Sequence, residues 1–321
     1  MGRYRFVLSS GTKLGSSVST VFEQRAADVA DPDAGLSPAE LAAKYGLTIS
    51  GRRPSLIEYS RQLWQRRFFI GAYATAKLMV QYSSSKLGQV WQVLTPLLNA
   101  AVYFLIFDLL LHISKGIPDY IPYLCTGVFV FNFTQAAVLS GTRSISDNLG
   151  LIRALHFPRA TLPIAFTVNQ LQQLIVSMGV LGVIVLVSGL PVTMNWLLII
   201  PILLLQATFN AGLAMFMARI GAKTSDMAQL MPFIIRTWMY LSGVFWAVNS
   251  VADKLPHWAG TLIEANPALI YIELMRYALM DSVPASSLPH HVWIMAVAWA
   301  VIGGLGGYVF FWKAEEEYGR G

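Results

Sequence analysis

The chain has 321 residues, 55% of them hydrophobic and only 12% charged, with mean hydropathy +0.54. A soluble domain carries about 25% charged residues, so this deficit, with apolar runs near span length, excludes an ordinary soluble globule and predicts an all-α integral membrane protein. The formal charge of +6 then reflects the Lys and Arg that cytoplasmic loops collect rather than a nucleic-acid partner, and the single Cys125 excludes an intrachain disulfide and reads as a packed thiol.

Residues 1–54 are polar and lack sustained periodicity. They contain no apolar run followed by a small-residue cleavage site, so no cleavable signal peptide is expected in this N-terminal extension. Within it, Ser37, Pro38 and Glu40 stand as N-cap, N1 and N3 of a capping box. They predict a short helix over about 38–45, ending near Gly46. Residues 55–87 are amphipathic: Leu56, Tyr59, Leu63, Phe69 or Ile70, and Tyr73 recur at helical spacing, interrupted by Arg61, Arg66, Arg67 and Lys77. The stretch is too charged to span. It suits a helix in the membrane interface; a soluble helix packed on a partner is the alternative.

A membrane domain over 88–313 follows, with six transmembrane helices predicted at about 90–113, 120–140, 162–189, 194–218, 228–248 and 291–312. Charge counting orients them. Twelve Lys and Arg precede Val90, and Arg143, Arg153, Arg159, Arg219, Lys223, Lys313 and Arg320 fall on the same side. The opposite side holds only Lys115, Lys254 and Arg276. The positive-inside rule therefore puts both termini in the cytoplasm, including a tail over 314–321. Between the last two spans, residues of about 255–282 form two apolar pieces around Asn266-Pro267, each too short to cross. They predict an external re-entrant or surface helical hairpin, with Asn266 capping the second piece. Gly303 and Gly307 on the last span have GxxxG spacing, which allows close helix packing.

Chemistry-bearing motifs are scarce. The run "GAKTSD" at 221–226 lacks the adjacent Gly-Lys and the upstream Gly of a nucleotide-binding loop. Neither an HExxH, a CxxC nor a His cluster suggests a metal. The "SSS" run at 83–85 has no nearby base to make a nucleophile. Asp108 is the one carboxylate placed within a predicted span, and Arg236 the one buried cation candidate, which argues against proton coupling. The sequence thus predicts no catalytic site and an energy source outside the chain. Residues 147–163, "DNLGLIRALHFPRATLP", form a basic, half-apolar cytoplasmic loop whose Leu151, Ile152, Leu155 and Phe157 make a greasy face. Exposed, such a patch needs a cover. Either a partner protein or the lipid headgroup region supplies it.

Four motifs, in order on this topology, resemble the ABC-2 type permease family, and most closely its branch exporting lipid-linked polysaccharides such as O-antigen and teichoic acid. In "VQYSSSKLGQVWQVLTPLLNA", Tyr82, Ser85, Leu87, Gly88, Trp91, Pro96 and Leu97 match, while Gln81 replaces the commoner Arg. In the loop after the second span, Asn148, Leu151, Ile152, Phe157 and Pro158 match. "YLSGVFW" at 240–246 and Asn266, Pro267 and Arg276 of "NPALIYIELMR" complete the set, so that the resemblance covers roughly 55–318.

The resemblance implies a half-transporter of the bacterial cytoplasmic membrane: a homodimer of permease chains with two ATP-binding-cassette subunits, which hold the ATP and Mg. The substrate implied is a polyprenyl-diphosphate-linked glycan, the alternatives being a drug or lipid and, from another class, an ion-coupled carrier. It makes about 147–158 a coupling helix received by the ATPase, through Asn148, Leu151, Ile152, Leu155 and Phe157, with Arg153 and His156 at its rim. The 55–87 stretch becomes a gate helix, where Arg61, Arg66, Arg67, Lys77, Tyr82 and Lys86 are placed to meet the diphosphate. Attraction to anionic lipid is the competing reading. Trp91, Tyr103, Phe107, Trp238, Tyr240 and Trp246 fall on the first and fifth spans, which line the channel in this family. Ordinary lipid-facing aromatics are the alternative there.

Overall fold

The computed structural model describes residues 37–45, 53–83, 86–88, 90–110, 117, 119–155, 157–247, 256–289 and 291–318. His156 lies outside the described residues, as do the side chains of Tyr82, Phe107 and Asp108. The chain divides into two compact units, Met1–Arg52 and Arg53–Gly321. The first contains α1 (Pro38–Lys44), whose capping box is closed: Glu40 N–H donates to Ser37 Oγ at 3.3 Å, and Ser37 N–H and Oγ–H both donate to Glu40 Oε2 at 2.7 Å. Those bonds hold the Glu40 carboxyl below its ordinary range.

In the second unit every described regular element is helical. Helices α2 (Leu56–Gln65) and α3 (Arg67–Ser83) replace the single amphipathic helix expected over 55–87. The break is at Arg66, whose N–H is shared between the carbonyls of Gln62 and Leu63 and closes α2 with a tight turn. Next come α4 (Val90–Phe104), continued by a π-helical turn at Leu105–Leu110, and α5 (Tyr120–Arg143). After a 3₁₀ turn at Ser146–Asn148, α6 is a short helix over Leu149–Ala154. It leads to α7 (Thr161–Val187), α8 (Ile199–Lys223), α9 (Asp226–Tyr240), α10 (His257–Glu264), α11 (Pro267–Leu279) and α12 (Val292–Trp312).

Four described helical segments are long and apolar enough to cross a membrane: Tyr120–Arg143, Thr161–Val187, Met194–Lys223 and Val292–Trp312. Among them α5 is the most buried, packed by α4, α7, α8, α9 and α11. The outer helices instead expose Val183, Leu204, Ile302 and Leu305. Lipid as solvent makes that arrangement stable, since backbone groups are satisfied within each helix and apolar side chains need no protein cover.

The fifth predicted span, 228–248, is shorter than expected because α9 ends at Tyr240. Its C-terminus is stopped by two devices. Gly243 takes a left-handed φ of 64°, which favours glycine. Asn266 Nδ2 donates to the Leu241 carbonyl and to Ser242 Oγ, both at 3.1 Å. The same Asn266 is the N-cap of α11, its Oδ1 accepting from Ala268 N–H at 3.0 Å. One side chain therefore closes two helix ends, a use of Asn266 that its sequence position does not reveal.

The α8–α12 crossing rests on glycine. A Cβ at Gly307 would run into the Gly212 backbone carbonyl, and one at Gly212 into the Gly303 carbonyl. These backbones meet without side chains between them, as small-residue helix packing requires. Gly307→Val is expected to drive α12 off α8, at a cost of about 1–3 kcal/mol or more. Size-exclusion profiles of the solubilised protein check this, with Gly306→Val as control, because a Cβ at Gly306 meets nothing within 4 Å.

Candidate functional site

At one end of the bundle a hydrophobic cluster joins α2, α6, the loop into α7 and the end of α12. Its polar centre is Glu315, just past α12. Tyr59 Oη donates to Glu315 Oε2 at 2.7 Å, and Arg159 N–H donates to Oε1 at 2.9 Å. The Arg159 guanidinium reaches the Glu315 carbonyl, and Ala160 N–H donates to Tyr59 Oη at 3.1 Å. Arg53 N–H donates to Glu316 Oε1 at 2.7 Å, while its guanidinium lies 4.3 Å from the centre of the Trp312 ring. Segments more than 250 residues apart in sequence are thereby pinned together.

Burial raises the Glu315 carboxyl above its ordinary 4.5, against the lowering effect of Arg159 and Tyr59. The folded state therefore binds this proton more tightly than the unfolded state. The group's contribution to stability is full below 4.5 and falls as pH rises through the raised folded value. A Glu315→Gln variant is expected to lose that slope, checked by melting temperatures between pH 4 and pH 8.

The short helix α6 divides its apolar residues between two sides. Ile152 is buried and Phe157 is half-buried, its ring 6.0 Å from that of Phe69 on α3. Leu155 and Leu149 face outward, at 49% and 36% exposure, with Arg153 exposed and Leu151 half-buried. The single greasy face expected from sequence is thus split: Ile152 joins the buried cluster that holds Tyr59 and Leu63 of α2, and Phe157 packs on Phe69 of α3. Asn148 is a joint as well as a loop residue. It accepts from Tyr73 Oη on α3 at 3.2 Å and donates to the Ser144 carbonyl at 2.9 Å.

The basic residues of α2 and α3 lie outward. Arg61, Arg66, Arg67, Lys77 and Lys86 are exposed. Arg67 rests over Phe68, 4.4 Å from the ring centre, and Lys77 over Phe166 at 5.5 Å. These cations sit on aromatic faces with their charged ends accessible to an anion.

Most of the aromatic candidates gather at the α9 turn. The Tyr103 ring packs edge-on against Phe245 at 5.0 Å, Tyr240 packs on the same ring at 5.5 Å, and Trp246 Nε1–H donates to the Tyr240 carbonyl at 3.0 Å. Tyr240, Trp246, Trp258 and Leu262 line an open, apolar groove of about 500 Å³. Trp91 is not part of this group: twelve residues earlier on α4, it lies roughly 18 Å along the helix axis from Tyr103. Trp238 is held by its indole, Nε1–H donating to Asn266 Oδ1 at 2.9 Å. Phe107 falls on the π-helical turn.

The buried cation differs from the one expected. Arg236 is exposed on α9, whereas Arg276 is 0% exposed. Its guanidinium pairs with Glu273 at 2.7 Å and donates to the carbonyls of Gly243 and Val244 at 2.9 Å and of Tyr123 at 3.2 Å. The turn after α9 supplies two of those carbonyls, so the helix break that shortens the span creates the seat for the charge. A charge count along the chain places Arg276 in an external loop and cannot see this. The i, i+3 spacing of Glu273 and Arg276 is the one signal that was present.

Comparison with known proteins bears on these features together. Residues 70–280 match the family model described as ABC-2 type transporter. The chain is similar to an O-antigen export system permease protein RfbA of Klebsiella pneumoniae, 26% identical over 205 residues, which is 64% of this chain and 77% of that protein. It is also similar to the RfbA of Myxococcus xanthus, 25% identical over 199 residues, covering 62% of this chain and 76% of that protein.

Proposed function

The chain belongs to the ABC-2 type transporter family, and on that footing we propose that it is the permease subunit of an ATP-driven exporter of a polyprenyl-diphosphate-linked polysaccharide or teichoic-acid-type polymer. The observation that carries this reading is the similarity, across most of their length, to permeases named for O-antigen export. In the complex, two permease chains pair with two ATPase subunits that bind ATP and Mg. Six spans, both termini in the cytoplasm and a helical hairpin dipping in from the outer face complete the topology, with α4 and α9 as the two spans interrupted by a π-helical turn and by the Gly243 turn.

ATP binding in the partner moves α6, and the Glu315 cluster carries that motion to α2 and α3. The exposed Arg61, Arg66 and Arg67 then meet the diphosphate as the gate opens. Sugar faces slide along the rings around Tyr240 and Trp246, which bind apolar ring surfaces without fixing one register.

Leu155 and Leu149 contact the ATPase directly, while Ile152 supports them from inside. Leu155→Asp is expected to abolish transport-stimulated ATP hydrolysis with little change in melting temperature. Ile152→Ala is expected to cost roughly 2–5 kcal/mol of stability. Co-purification tests the assembly: a stable complex of two permeases and two ATPases is expected, and a purified chain that transports alone under a proton gradient would contradict it.

A further inference from the structure

A second cavity, of about 400 Å³, opens where the end of α3 meets α4, α5 and α7. Its lining comes from two polar stripes on otherwise apolar helices. Gln92, Thr95 and Asn99 stand at i, i+3 and i+7 of α4, and Gln170, Gln173 and Ser177 repeat that spacing on α7. Asn132 completes the polar wall from α5, with the rings of Phe129 and Phe133 beside it. Carboxamides in a membrane-embedded bundle are costly unless they find partners. Gln92 has not found one: it is 6% exposed and its Nε2 has no acceptor within reach. Pro96, also in the wall, brings no N–H to the Gln92 carbonyl four residues earlier.

The chemistry of this wall selects a ligand class. None of the described lining residues is charged, so a diphosphate has no counter-ion here. Carboxamides offer donors and acceptors side by side, which matches hydroxyl groups that do both. Phenyl rings beside them suit the apolar face of a ring. The volume lies within the roughly 300–1,000 Å³ of small-molecule sites. We propose that this cavity binds an uncharged sugar ring of the lipid-linked glycan, at a position separate from the aromatic groove. The proposal rests on the glycan-export reading above and adds a recognition site to it.

The test uses the full chain in lipid nanodiscs and two probes: a polyprenyl diphosphate, and the same lipid carrying one neutral hexose. The wild-type chain is expected to bind the hexose-bearing lipid about tenfold more tightly, as loss of one or two hydrogen bonds would predict. Gln92→Leu and Asn132→Leu, on different helices, are each expected to bring that affinity down towards the bare lipid's. Binding of the bare lipid, which needs neither residue, checks that each variant is folded. A hexose preference that survives in both variants overturns the cavity assignment while leaving the export reading intact. Equal binding of the two lipids by the wild type, as from a merely hydrated cavity, also overturns it. If neither lipid binds the wild type, the export reading falls and the sugar site falls with it.

Discussion

Arg276→Met is expected to lower the melting temperature of the solubilised protein by on the order of 10 °C, from a loss of about 3–5 kcal/mol. The magnitude follows from what the substitution leaves behind. Glu273 would keep a buried carboxylate with no cation, its side chain only 7% exposed. The carbonyls of Gly243 and Val244 would lose the donors that face them at 2.9 Å. The Tyr123 ring would also lose the guanidinium stacked 3.3 Å from its centre. A Glu273→Gln change in the same chain should restore part of the loss, because the uncompensated charge is then gone while the orphaned carbonyls remain. The melting temperatures of the single and double variants, compared as a cycle, separate the two contributions. If Arg276→Met melts with the wild type, the guanidinium does not hold the turn after α9.

Glu315→Ala is expected to cost about 2–4 kcal/mol, since it strips partners from the buried Tyr59 hydroxyl and Arg159 N–H together. Its functional effect should exceed its structural one. Tyr59 lies on α2 and Arg159 follows α6, so Glu315 is where the two are tied. The variant should keep ATP hydrolysis in the assembled complex and lose most polymer export, measured as polymer exported per ATP hydrolysed. Tyr59→Phe should move in the same direction by less, because Arg159 N–H keeps its acceptor. An unchanged export-to-hydrolysis ratio in Glu315→Ala would remove the cluster from the transmission path.

How legible this was in the sequence depends on the distance over which each feature is encoded. The long spans announce themselves through local composition, and Asn266-Pro267 through local cap chemistry. The α8–α12 glycines were half legible. GxxxG spacing at Gly303 and Gly307 was visible, but Gly212, which receives them, lies ninety-odd residues earlier and carries no motif. Residues that act across long separations were hidden. Glu315 sits in a run of three glutamates that reads as a solvated tail, and only the fold brings Tyr59 and Arg159 onto it. Arg276 reads as an external loop charge because the carbonyls that bind it come from a turn inside what looked like a continuous span. Ile152 reads as exposed because α2, whose Tyr59 and Leu63 share its buried cluster, is an amphipathic helix whose partner face the sequence leaves open. The amide cavity is hidden for a similar reason. Each polar stripe alone is a few Gln and Asn on an apolar helix, and only their apposition makes a site.

In the proposed role, this permease carries a lipid-linked polymer outward across the cytoplasmic membrane, driven by a partner ATPase. Depleting the chain in its own cells, and measuring lipid-linked polymer on each membrane face, tests it most directly. The expected result is polymer accumulating on the inner face while the outer-face pool drains. Depletion that leaves the inner-face pool unchanged would contradict the export role.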